Sequence, residues 1–96
     1  MASPTFQLEV VTPERVVFTG PVTTAVVPAE EGYLGILAHH APLIATLTPG
    51  RITFRNPEGT MTTLQNEGAG FLEVRDNRVT VLADRVVPQG LPSVAA

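Results

Sequence analysis

The chain contains no cysteine, no lysine and no tryptophan. Without thiols, disulfide frameworks, thiolate zinc sites, iron–sulfur clusters and thiol catalysis are excluded. All six basic residues are arginine, so Schiff-base chemistry and a lipoyl- or biotinyl-lysine are excluded as well. Charge is sparse, at 16% of residues, against about 25% in an average globular domain. The net charge of −3 argues against nucleic acid as a partner, because phosphates call for a basic face. Long apolar runs are missing too. The longest are triplets such as Val16–Phe18 and Ile36–Ala38, against the ~18 residues of a membrane span. The start, MASPTFQLEV, has neither the basic and apolar regions of a secretory signal nor the arginine-rich character of a transit peptide. A soluble chain that reaches a membrane only through partners is the expectation.

What the sequence does have is regular punctuation. Breaks at Pro13, Gly20-Pro21, Pro28–Gly32, Pro42, Pro49-Gly50, Asn56–Gly59, Asn66–Gly70, Asp76-Asn77 and Pro88 leave no room for three helical turns. That spacing is typical of short strands in a sandwich. Phe6, Leu8 and Val10 alternate with Gln7 and Glu9, Ile52 and Phe54 with Arg51, Thr53 and Arg55, and Val79, Val81 and Ala83 with Arg78, Thr80 and Asp84. Asn56-Pro57-Glu58-Gly59 has the residues of a type I turn. Asp76-Asn77 reads as a two-residue hairpin loop. Val10-Val11 and Met61–Leu64 break the alternation and mark bulges or strand ends. The expected fold is all-β, an antiparallel sandwich of about ten strands over residues 1–86, with a loose tail over 87–96 and no C-terminal helical hairpin. A chain of 96 residues has material for one modest core.

Candidate chemistry is thin. Ser3 and Ser93 lie near the termini, where no surrounding shell fixes a triad. His39 and His40, with Glu30 or Glu31, are the only set resembling a metal or acid–base site. Adjacent side chains on an extended segment point to opposite faces, so one metal rarely uses both histidines. Gly68-Ala69-Gly70 lies between two strands and lacks the helix that a phosphate-binding loop opens. The reading assigns no catalytic residue, no metal, no cofactor and no small-molecule substrate. Two alternatives stand beside it: a ligand-binding sandwich, for which one tyrosine and no tryptophan offer little platform, and a small metalloenzyme on His39 and His40.

The segment EEGYLGILAHHAPLIATLTPG, residues 30–50, is unusual. Gly32 and Gly35 interrupt an apolar stretch, which calls for a positive φ or a close backbone approach. Gly35 is the one expected to tolerate substitution less. Glu31, Gly32, Leu34, Gly35, Ile36, His40, Ala41, Pro42, Leu43, Pro49 and Gly50 fit the pattern of the ε subunits of F-type ATP synthases, called δ in mitochondria. LEVVTPERVVFTGPV (8–22) and GAGFLEVRDNRVTVLADRV (68–86) resemble the opening strands and closing hairpin of the same family. The likeness covers residues 5–86. It implies a ten-stranded sandwich at the foot of the central stalk, bound to the γ subunit and the membrane c-ring. Such a domain rotates with both and performs no bond chemistry. By position, Thr12, His40 and Ala45 are implied on the γ-facing side and Glu31, Gly32, Tyr33 and Leu34 at the c-ring. Tyr33 departs from the polar residue frequent there in the family. The family's inhibitory C-terminal hairpin has no counterpart before Ala96; if the gene ends there, the resemblance implies a subunit that couples without switching. The implied location is peripheral, on the cytoplasmic face of a bacterial plasma membrane, or on the stromal face of thylakoids for a chloroplast-encoded chain.

Overall fold

A computed structural model of the chain describes residues 3–89. It holds ten strands: β1 (Phe6–Val11), β2 (Val16–Val22), β3 (Thr24–Ala29), β4 (Gly32–Leu37), β5 (Leu43–Leu47), β6 (Gly50–Arg55), β7 (Met61–Asn66), β8 (Gly70–Arg75), β9 (Arg78–Ala83) and β10 (Val86–Pro88). No helix occurs among the described residues, so none is long and apolar enough to cross a membrane.

The strands form two groups that meet at one point. One group runs β4-β3-β6-β7-β10 and the other β5-β8-β9-β1-β2, and the junction is the pairing of Ala29 with Leu47. Two backbone bonds close the seam, from Glu30 N–H to the Thr46 carbonyl at 3.0 Å and from Thr48 N–H to the Pro28 carbonyl at 2.9 Å. The inner faces share one core. Leu8, Val10, Leu72, Val79 and Val81 from the second group and Val27, Ile36 and Ile52 from the first are all buried within it. Phe18 of β2 stacks at a tilt on Phe54 of β6, with ring centroids 4.4 Å apart, a geometry aromatic pairs favour.

The ten-stranded all-β fold matches expectation, with one correction. The sheet is mixed, because β1 pairs with β9 in parallel, Gln7 opposite Arg78 through Val11 opposite Leu82. A short hairpin loop dictates antiparallel pairing only for strands adjacent in sequence. β1 and β9 are separated by most of the chain, and nothing local fixes their direction.

The turns carry the predicted chemistry. Gly59 N–H bonds the Asn56 carbonyl at 2.9 Å. Asp76 and Asn77 both take positive φ, 51° and 59°, in the two-residue loop between β8 and β9. The β1–β2 register shifts between Val10 and Val11, a bulge. Met61–Leu64 is the regular start of β7. Asn66 is fully buried, and its amide donates to the carbonyls of Thr48 at 2.8 Å and Gly68 at 2.9 Å. It thereby ties two loops that the hydrophobic pattern leaves unconnected. Val87 and Pro88, assigned by sequence to the tail, pair with Gln65 and Leu64 in β10. Gln89 N–H bonds the Thr63 carbonyl at 3.0 Å, and residues 90–96 of the expected tail lie outside the described residues.

Candidate partner-binding surfaces

Glu30 and Glu31 occupy the exposed turn between β3 and β4. His39 and His40 follow β4 at the far end of that strand. Among the described residues, no group of three or more His, Asp or Glu side chains is placed to hold a metal. His39 is exposed and takes φ 64°, a left-handed conformation that costs a non-glycine residue about 1–2 kcal/mol. Its N–H donates to the Asn77 side-chain oxygen at 2.7 Å. The His40 Nδ1 lies 2.7 Å from the Ala41 carbonyl. A carbonyl only accepts, so Nδ1 carries the proton and Nε2 is the acceptor of the neutral ring.

The residues implied at the c-ring form one feature. Glu31 lies in the turn and Gly32 opens β4, and Gly32 needs its φ of +124°, a region that L side chains rarely enter. Tyr33 lies across the outer side of β3 and accepts a hydrogen bond from the Arg51 N–H of β6 at 3.1 Å. This bond spans three strands and pins the turn. Pro28, opposite Tyr33 in the register, is buried. Leu34 is half-buried against the core. An open groove of about 530 Å³ separates this turn from β5, and Leu34 and Ala45 both line it.

The three residues implied at γ are not brought together. Ala45 sits opposite Leu72 on the inner side of β5 and is half-buried. Thr12 is only 8% exposed, and its hydroxyl donates to the Arg15 carbonyl at 3.3 Å. His40 lies by the β8–β9 turn, level with the start of β1, whereas Thr12 follows the end of β1. Strand rise separates those two levels by roughly 17 Å. Thr12 and His40 thus mark opposite ends of the β5-β8-β9-β1-β2 layer.

At the Thr12 end of this layer lies a feature that the motifs did not identify. Across the outer face of this layer the register aligns Thr46, Phe71, Leu82, Val11 and Val16 in one row. Phe71 is 58% exposed, Leu82 50% and Val16 51%. Ile44, two residues before Thr46, is 73% exposed. The neighbouring row of this face begins with Ile44 and is otherwise polar: Glu73, Thr80, Glu9 and Thr19. The signal was present in Val81-Leu82-Ala83 and Phe71-Leu72. Where apolar residues are adjacent in a strand, one of them must face outward. A contiguous apolar row of this kind on a small domain marks a contact surface.

Over residues 5–89 the chain matches the family described as ATP synthase, Delta/Epsilon chain, beta-sandwich domain. It is 45% identical over 84 residues to the ATP synthase epsilon chain of Dichelobacter nodosus (strain VCS1703A), covering 88% of this chain and 57% of that one. The chain spans 57% to 65% of the length of the first epsilon chains that it matches. In fold it is similar to a chain of the Euglena gracilis mitochondrial ATP synthase OSCP/F1/c-ring assembly, with a TM-score of 0.82 and 23% identity over 92% of this chain and 56% of that chain. It is also similar to one of the Tetrahymena thermophila mitochondrial ATP synthase central stalk/c-ring, with a TM-score of 0.74 and 14% identity over 92% of this chain and 69% of that chain. At these identities the structural likenesses speak for the fold alone. The sequence match, running through every strand described above, identifies the chain as a member of the ATP synthase Delta/Epsilon β-sandwich family.

Proposed function

We propose that the chain is a non-catalytic rotor subunit of an F-type, proton-transporting ATP synthase, joining the γ subunit to the c-ring in the central stalk. The observation that carries this reading is the apolar row over Phe71, Leu82, Val11 and Val16, a surface made for a protein partner. In this reading γ covers the row, which begins beside Thr12, and extends along the layer to His40 at its opposite end, with Ala45 next to Thr46 on β5. The pinned turn Glu31–Leu34 meets the c-ring. The subunit is held at the cytoplasmic face of the bacterial membrane through the complex. No nucleotide, metal or small-molecule substrate takes part at these surfaces.

The two surfaces share a rigid frame. The turn after β3 is bonded to Thr46 through Glu30, and Thr46 begins the apolar row through its pairing with Phe71. Load at one surface therefore reaches the other through backbone hydrogen bonds, as coupling of proton flow to ATP synthesis demands of a rotor part. Co-purification with γ tests the reading. The wild-type chain is expected to hold γ, and Leu82→Glu to lose it with the melting temperature changed by only a few degrees, since Leu82 is a surface position. Undiminished γ binding by Leu82→Glu would exclude the row as the seat.

A further inference from the structure

We infer that Asn77 is a positioning residue for the γ contact, acting through the loop that carries His39 and His40; this rests on the reading of His40 as a γ-facing residue. Asn77 sits in the two-residue β8–β9 turn with φ 59°, after Asp76 at φ 51°. That turn asks only for a residue tolerant of positive φ, and Asp-Gly serves it as well as Asp-Asn. The side-chain amide is therefore not needed by the hairpin, yet both of its ends are engaged elsewhere. The Oδ1 accepts the His39 N–H at 2.7 Å, across 38 residues of sequence. The Nδ2 donates to the Thr5 carbonyl at 2.9 Å, across 72 residues. The Asn77 backbone carbonyl also receives the Gln7 N–H at 3.2 Å. One amide thus fastens the loop after β4 to the entry of β1 and to the tip of the β8–β9 hairpin.

The loop needs such a fastening. His39 has a side chain and still takes φ 64°, a conformation that persists only where the surroundings hold it. The short bond from its N–H to Asn77 is the hold in view. His40 follows directly, and the path of the backbone through His39 decides where the His40 ring goes. Its Nδ1 is already committed to the Ala41 carbonyl at 2.7 Å, so Nε2 is the atom that His40 offers to a partner. Releasing His39 lets that atom wander and makes γ pay the ordering entropy on binding.

Three variants of the 96-residue chain, each titrated against purified γ subunit, test this. Each is also followed by thermal melting and by amide hydrogen exchange at residue 39. Asn77→Gly keeps the turn and removes both side-chain bonds. It is expected to fold, to speed exchange of the His39 amide, and to weaken γ binding roughly three- to tenfold, the scale of one hydrogen bond. Asn77→Asp keeps the acceptor for His39 and tolerates the turn, so affinity and His39 protection should return to near the wild-type values, whatever the loss at Thr5 does to melting. His40→Ala should weaken γ binding with exchange at residue 39 unchanged. The proposal is overturned if Asn77→Gly binds γ within twofold of wild type while His40→Ala does not, if Asn77→Asp binds as weakly as Asn77→Gly, or if Asn77→Gly fails to fold, which would give the amide a purely structural role. If His40→Ala itself leaves affinity unchanged, the γ-facing reading of His40 falls, and the consequence for Asn77 falls with it, even where exchange confirms the bond to His39.

Discussion

Tyr33 reaches over Pro28 to the backbone of Arg51, and the reach depends on Gly50 having no side chain. A Cβ on Gly50 would lie 2.7 Å from the Pro28 Cβ and 2.8 Å from the Tyr33 hydroxyl. Neither can yield cheaply, one being part of a rigid ring and the other tied to Arg51 N–H. Gly50→Ala should therefore destabilise the chain by about 2 kcal/mol, as overpacking does. Gly35→Ala should stay within about 0.5 kcal/mol, because its Cβ meets nothing within 4 Å and its φ is ordinary. Urea denaturation of the two variants measures the difference. This reverses the emphasis drawn from sequence, where Gly35 stood out by lying inside an apolar run. Among the described residues the demanding glycines include Gly32, by its φ, Gly50, and Gly70, whose Cβ would collide with the Leu82 carbonyl oxygen. A one-dimensional pattern shows that a glycine is present but not which atoms lie over it.

At the scale of the element, alternation was the most legible feature. β1 reads FQLEVV and buries every other residue, Phe6, Leu8 and Val10, as the sequence reading has it. The type I turn at Asn56–Gly59 and the hairpin at Asp76-Asn77 were legible because turn residues carry their conformation locally. Direction and partner were not. β1 lies between β9 and β2, parallel to one and antiparallel to the other, and its alternation would be the same had it paired otherwise. The position of β1 inside its layer sets a sharp contrast between neighbours. Leu8, with no exposed surface, faces the shared core, and Leu8→Ala should cost about 2–5 kcal/mol. Gln7, one residue away on the outer face, should change stability by less than about 0.5 kcal/mol on replacement by alanine. Both follow from chemical denaturation with a common slope. Equal losses at the two positions would mean that β1 does not sit with one face on the core.

Across the whole molecule, the candidate site was legible in part. The family motifs placed Thr12, His40, Ala45 and Glu31–Leu34 on the chain, but they gave no sign that the first two stand at opposite ends of a layer or that Leu82 and Phe71 continue an apolar row from beside Thr12. Those relations come from the register of strands far apart in sequence. The architecture puts the turn and the apolar row on one frame, joined at Glu30 and Thr46, yet offers each surface separately. Tyr33 divides them cleanly, because its ring is exposed while its hydroxyl anchors the turn to β6. Tyr33→Ser shortens the side chain so that it no longer reaches Arg51, leaving the turn proposed to meet the c-ring unpinned and without its aromatic side chain. The outer row and the Asn77 fastening are untouched. Binding to γ should remain within about twofold, as expected for a change outside that interface. Association of the γ-bound chain with a reconstituted c-ring should fall roughly five- to tenfold, the effect of removing one exposed aromatic anchor. Membranes carrying the variant should then hydrolyse ATP with fewer protons pumped per turnover, read by a pH-sensitive dye beside phosphate release. Loss of γ binding in Tyr33→Ser would place γ on the turn instead, and full c-ring association would remove the turn from the ring contact.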